Sequence, residues 1–122
     1  MKTKSKFLRE LVKEANNLSI KKFDTTIKGG ESDLVTSLDL EIEKFLIDEI
    51  KKQYPNFDIV SEEFNTNNKV TENCFIIDPI DGTINFANNL PLWGIQIACI
   101  ENGKTVASVI SLPRIDEFYY AD

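Results

Sequence analysis

Two aspartates close a run of apolar residues in the segment Cys74-Phe75-Ile76-Ile77-Asp78-Pro79-Ile80-Asp81-Gly82-Thr83-Ile84-Asn85-Phe86. The apolar run is rich in aromatic and β-branched residues and is predicted to be a buried strand that delivers Asp78 at its end. Pro79 lacks an N–H, so the ladder is expected to stop there and the chain to turn, with Asp81 just beyond. Gly82 permits close backbone approach. The residues from Thr83 onward can open a short helix whose first N–H groups would face an anion. Clustered carboxylates beside such a helix start are what metal-assisted phosphoryl chemistry requires, and Mg²⁺ or Mn²⁺ suits oxygen ligands of this kind. The competing reading is a plain turn, because Asp, Pro and Gly are all turn formers.

A third carboxylate is available if the preceding strand lies next to this one. Phe57 to Ser61 alternates weakly and reads as a strand ending at Glu62-Glu63. Adjacent side chains on an extended backbone point to opposite faces, so one of the two acids at most would face a given site. Residues 64 to 73 read as a surface loop or hairpin leading back to Cys74.

The elements that must hold these groups are predicted as follows. Phe7, Leu8, Leu11, Val12, Ala15 and Leu18 recur at helical spacing among Lys and Glu, an amphipathic helix that would fray at Asn16 and Asn17. Lys21 to Asp33 reads as a short extended piece and a Gly-Gly loop. A second helix is expected from near Ser37 or Leu38 to about Tyr54, with Ile42, Phe45, Leu46 and Ile50 on one face and Pro55 ending it. Asp39 would then be an acid at a helix start, favoured by the dipole whether or not it does chemistry. After Asn88-Asn89-Leu90-Pro91 stops the short helix, Trp93 to Glu101 alternates as a strand. Asn102-Gly103 is a hairpin signal because both residues accept positive φ. Lys104 to Leu112 returns, and Phe118-Tyr119-Tyr120 starts a further strand. Helices first and strands after give an α+β class, two N-terminal helices on a largely antiparallel sheet.

Composition narrows the chemistry. The 122 residues make one domain's worth of chain, with a formal net charge of −6 and dispersed basic residues, which argues against nucleic-acid or membrane surfaces as partners. There is no histidine, which excludes Ser-His and Cys-His nucleophile pairs and imidazole zinc sites. Cys74 and Cys99 sit in apolar runs, not at ligand spacing, and read as buried free thiols of a reducing compartment. With no apolar segment of membrane-spanning length, a cytoplasmic location is the default expectation.

The Asp78-Pro79-Ile80-Asp81-Gly82-Thr83 stretch with Asn85-Phe86, the Glu62-Glu63 pair, Asp33-Leu34-Val35-Thr36-Ser37-Leu38-Asp39, Tyr54-Pro55 and Leu90-Pro91-Leu92-Trp93 together closely resemble the inositol monophosphatase family. That resemblance implies a layered αβαβα phosphatase fold of which residues 1–122 form the N-terminal, metal-binding part, and two or three Mg²⁺ ions, with Mn²⁺ as substitute. It implies Glu62, Asp78 and the backbone carbonyl of Ile80 as ligands of one ion, and Asp78 and Asp81 as ligands of another. Thr83 would orient the attacking water, Asp39 would hold Thr83 or a water, and the N–H groups of Gly82 and Thr83 would receive phosphate. Glu63 is the less firm of the glutamate pair. The family also uses a later aspartate in a Trp-Asp motif; here Trp93 is followed by Gly94. The implied activity is hydrolysis of a small phosphorylated substrate by a protein that pairs as a homodimer. Inositol monophosphate leads as substrate, ahead of histidinol phosphate, fructose 1,6-bisphosphate and 3′(2′),5′-bisphosphate nucleotides. The alternative of a different class is a non-catalytic fragment that binds metal or a partner.

Overall fold

The computed structural model describes residues 2–29, 32–61 and 69–122, with side chains described for all of these except 22–29 and 32–36. Two long helices, α1 (Lys4–Gly29) and α2 (Ser32–Gln53), precede β1 (Asp58–Ser61), β2 (Cys74–Asp81), the short α3 (Thr83–Ala87), β3 (Gly94–Glu101), β4 (Lys104–Leu112), a 3₁₀ turn at Pro113–Ile115 and β5 (Glu117–Ala121). The strands form one sheet in the order of the chain. β1 runs parallel to β2, and the other neighbours are antiparallel.

The apolar stripes decide how the layers meet. Leu8, Leu11, Val12 and Ala15 of α1 and Leu38, Ile42, Leu46 and Ile50 of α2 are all buried, at the spacing that keeps them on one helix face. They pack against Phe75 and Ile77 of β2, Ile95, Ile97 and Cys99 of β3, and Ala107 and Val109 of β4. Each fully buried side chain of this size contributes about 1.5–3 kcal/mol from leaving water. Cys74 and Cys99 are both free and buried, as expected.

The helices exceed their sequence-based limits. α1 runs through Lys21–Gly29, where an extended piece and loop are expected, and α2 begins at Ser32, not near Ser37. Thr25, Thr26 and Gly29 are weak helix formers, each costing up to about 1 kcal/mol relative to alanine, but none is proline, and a helix already nucleated upstream extends through them. Asn16 does not fray the helix, since its Nδ2 donates to Ser111 Oγ of β4 at 2.6 Å. The early start of α2 also removes the dipole account of Asp39, which lies beyond the first turn, where that effect has faded.

Two expectations about the sheet change as well. Parallel pairing of β1 and β2 excludes a tight hairpin between them, since parallel neighbours need a crossover. Pro79 does not end β2, because the pairing with β3 shifts between Asp78↔Gln96 and Asp81↔Gly94, a bulge with one extra residue on β2. Within a bulge the ladder is interrupted anyway, so a residue without an N–H costs no hydrogen bond. The Asn102-Gly103 hairpin forms as expected, with φ of 53° and 78°.

Candidate active site

The bulge sets the local geometry around the aspartates. Asp78 is half-buried, Pro79 and Ile80 are buried, and Asp81 is exposed, so two carboxylates flank a backbone segment pressed into the core. Gln96, opposite Asp78 on β3, donates from Nε2 to Asp81 Oδ2 at 2.5 Å. Gln96 thereby orients the second carboxylate. It was not among the sequence candidates, although a polar residue among Ile and Ala beside the aspartate strand is a readable signal.

Gly82 follows with φ 86° and ψ 44°, the left-handed conformation, at the cap of α3. The position needs glycine twice over: a Cβ there would stand 2.9 Å from the carbonyl oxygen of Leu92. That same oxygen accepts from Asn85 Nδ2 at 2.8 Å. Phe86 is buried edge-on against Trp93, with ring centroids 4.8 Å apart. Asn85 and Phe86 therefore clamp α3 onto the segment leading into β3. Thr83 Oγ donates to the carbonyl of Ile80 at 3.3 Å, within the same few residues as both aspartates.

Asp39 is half-buried on α2, with Oδ1 shut off from solvent. α2 packs against both β2 and α3, so Asp39 is carried on the element that borders the bulge. One turn on, Glu43 is completely buried and accepts a hydrogen bond from Ser61 Oγ at 3.0 Å. In the sequence Glu43 reads only as an acid in the first turns of the second helix, favoured by the dipole, and its pairing with Ser61 is not visible there. Ser61, the last described residue of β1, pairs with Ile77, the residue before Asp78. Glu62 and Glu63 lie outside the described residues. Asp78, Ile80, Asp81, Gly82 and Thr83 thus come together on one strand end, with Asp39 on the neighbouring helix.

Among the described residues no group of three or more His, Cys, Asp or Glu is arranged to hold a metal ion. The donors that do gather, two carboxylates and a carbonyl, are hard oxygens of the type Mg²⁺ prefers, and a third carboxylate would complete such a set. No helix among the described residues is long and apolar enough to cross a membrane.

Comparison with known proteins agrees with this architecture. The sequence matches the inositol monophosphatase family over residues 2–122. It is 40% identical over 97 residues to the fructose-1,6-bisphosphatase/inositol-1-monophosphatase of Thermotoga maritima, covering 78% of this chain and 36% of that protein. It is 33% identical over 115 residues to Nus factor SuhB of Escherichia coli, covering 89% of this chain and 43% of that one. The solved structure of inositol monophosphatase-II from Staphylococcus aureus superposes with a TM-score of 0.86 at 30% identity, over 95% of this chain and 43% of that one. The chain spans less than half the length of each of these relatives.

Proposed function

The chain belongs to the inositol monophosphatase family, and from that premise we propose that the whole protein is a Mg²⁺-dependent phosphomonoesterase, with inositol monophosphate as leading substrate. The activity is assigned to the whole protein, of which residues 1–122 are the N-terminal, metal-binding part. The observation that carries the reading is the bulged end of β2. It presents Asp78 and Asp81 on either side of the Ile80 carbonyl and runs directly into a left-handed Gly82 and Thr83.

In this reading Glu62, Asp78 and the Ile80 carbonyl would hold one ion, and Asp78 and Asp81 would hold a second. When bound, the ions supply an acidified water and neutralise charge on the phosphoryl group. The chain's own residues do the positioning. Thr83 orients the attacking water through its hydroxyl, and Asp39 supports Thr83 or a neighbouring water. The N–H groups of Gly82 and Thr83 bind the phosphate oxygens, and Gln96 holds Asp81 in its rotamer.

The test is phosphate release by the full-length protein from inositol 1-phosphate, histidinol phosphate, fructose 1,6-bisphosphate and adenosine 3′,5′-bisphosphate, with Mg²⁺ and after chelation. Release that requires Mg²⁺ and is fastest with inositol 1-phosphate is expected. Release from none of the four would sink the reading. A partner-binding role is the second reading, favoured by the similarity to a protein named Nus factor SuhB. Divalent-ion binding without turnover on any of the four would favour it.

A further inference from the structure

Glu43 is the one charged side chain among the described residues that is fully buried. A carboxyl in that position contributes less to stability than a hydrocarbon of equal volume, because its loss of hydration offsets what its contacts return. Its presence is accounted for by what it holds. Ser61 Oγ donates to Glu43 Oε2 at 3.0 Å, joining α2 to the end of β1. On the helix side, Glu43 stands one turn after Asp39 on the same face. On the strand side, Ser61 pairs with Ile77, and Asp78 is the next residue of β2. This buried hydrogen bond therefore spans from the helix turn that carries Asp39 to the strand pair from which Asp78 emerges.

We propose that Glu43 is a positioning residue for the cation site, acting through Ser61 to fix α2 and the β1–β2 strand ends at one separation. The inference rests on the metal-site reading above and deepens it. Groups that orient ligands without touching the ion commonly change metal affinity by about 10–100-fold when removed. A group that served packing alone would lower the stability of the metal-free protein and leave ion affinity where it was.

The experiment uses the full-length protein and reads Mn²⁺ binding directly, by calorimetry or by the electron paramagnetic resonance of free Mn²⁺, beside metal-free thermal unfolding. Glu43→Ala is expected to weaken Mn²⁺ binding by about 10-fold or more. Glu43→Gln keeps an oxygen for Ser61 to donate to and is expected to recover most of that loss. Ser61→Ala is a mild truncation that keeps the measurement informative if Glu43→Ala does not fold, and it too is expected to weaken binding. Wild-type Mn²⁺ affinity in Ser61→Ala and in Glu43→Ala, with only the unfolding temperature lowered, would overturn the positioning role and leave the metal site standing; so would wild-type affinity in Ser61→Ala alone if Glu43→Ala does not fold. Absence of Mn²⁺ binding in the wild-type protein would overturn both.

Discussion

The two ends of the central strands differ in how tightly their irregular backbone is held. At the hairpin end, β3 and β4 join through Asn102 and Gly103, two residues that accept positive φ readily, and both are tied to the segment that leads into β2. Gly103 N–H donates to the Glu72 carbonyl at 2.9 Å, and Asn102 N–H donates to Asn73 Oδ1 at 3.0 Å. Tyr54, Phe57 and Phe75 pack together with tilted rings, and burial pushes the Cys99 thiol up to about 11, which leaves it inert near neutral pH. At the other end β2 carries a proline, a bulge and two carboxylates and runs into a left-handed glycine pressed against a neighbouring carbonyl. The hairpin end has a register shift of its own, between Cys99↔Ala107 and Ile100↔Thr105, but its turn glycine has open space around it. Where local rules are broken and the breaks are held in place by specific contacts, function is the usual reason.

The largest expected effect tests that contrast on activity. In the full-length protein, Asp81→Asn should reduce Mg²⁺-dependent phosphate release by about a hundredfold or more, because one carboxylate's share of transition-state charge stabilisation is worth several kcal/mol. Glu101→Gln, on the same sheet at the hairpin end, should leave the rate unchanged. Near-normal turnover by Asp81→Asn would break the comparison, since the aspartate would then be only a turn former.

Next in size is a paired test on stability. Gly82 and Gly103 share a positive φ, of 86° and 78°, but a Cβ at Gly82 meets a backbone oxygen at 2.9 Å while one at Gly103 meets nothing within 4 Å. Gly103→Ala should therefore cost about 1 kcal/mol for the left-handed backbone alone. Gly82→Ala should cost about 3 kcal/mol, because the chain must also move away from Leu92 or distort. Denaturation midpoints of the two variants measure the difference. Equal losses would show that the site end is no more constrained than the hairpin.

The same contrast explains what could be read from the sequence. The strand at Cys74–Ile77, the phase of β3, the Asn102-Gly103 turn and the end of α2 at Pro55 are local signals, each carried by adjacent residues, and all appear where expected. The ordered motifs from Asp33 to Trp93 likewise pointed to the family to which the chain belongs. What was not legible depends on partners distant in the chain. Whether Pro79 ends a strand is decided by where β3 shifts register. Whether β1 is parallel to β2 is decided by non-local pairing. Glu43 looks like any solvated helix acid until Ser61 is placed beside it. The continuation of α1 to Gly29 reflects cooperative helix extension outweighing the propensity of Thr25 and Thr26.

The smallest expected effect sharpens the quiet end of the comparison. Lys4 Nζ donates to Glu101 Oε2 at 2.8 Å and lies 5.1 Å from the ring centre of Tyr54. The hydrogen bond to Glu101 raises the Lys4 pKa above its ordinary 10.5, against the opposing influence of partial burial. A folded-state pKa above the unfolded value means that the pair's stabilisation is fully present below 10.5 and is lost as pH rises through the folded-state value. Lys4→Met should therefore cost less than about 1 kcal/mol at neutral pH, and less still at high salt, because the pair is partly exposed. The gap between wild type and variant in denaturation midpoint should hold steady across neutral and mildly alkaline pH and close only above 10.5. If it closes instead as pH falls toward neutrality, the lysine is not held as a cation, and the hairpin end carries an ionisation of its own that the present contrast between the two ends denies it.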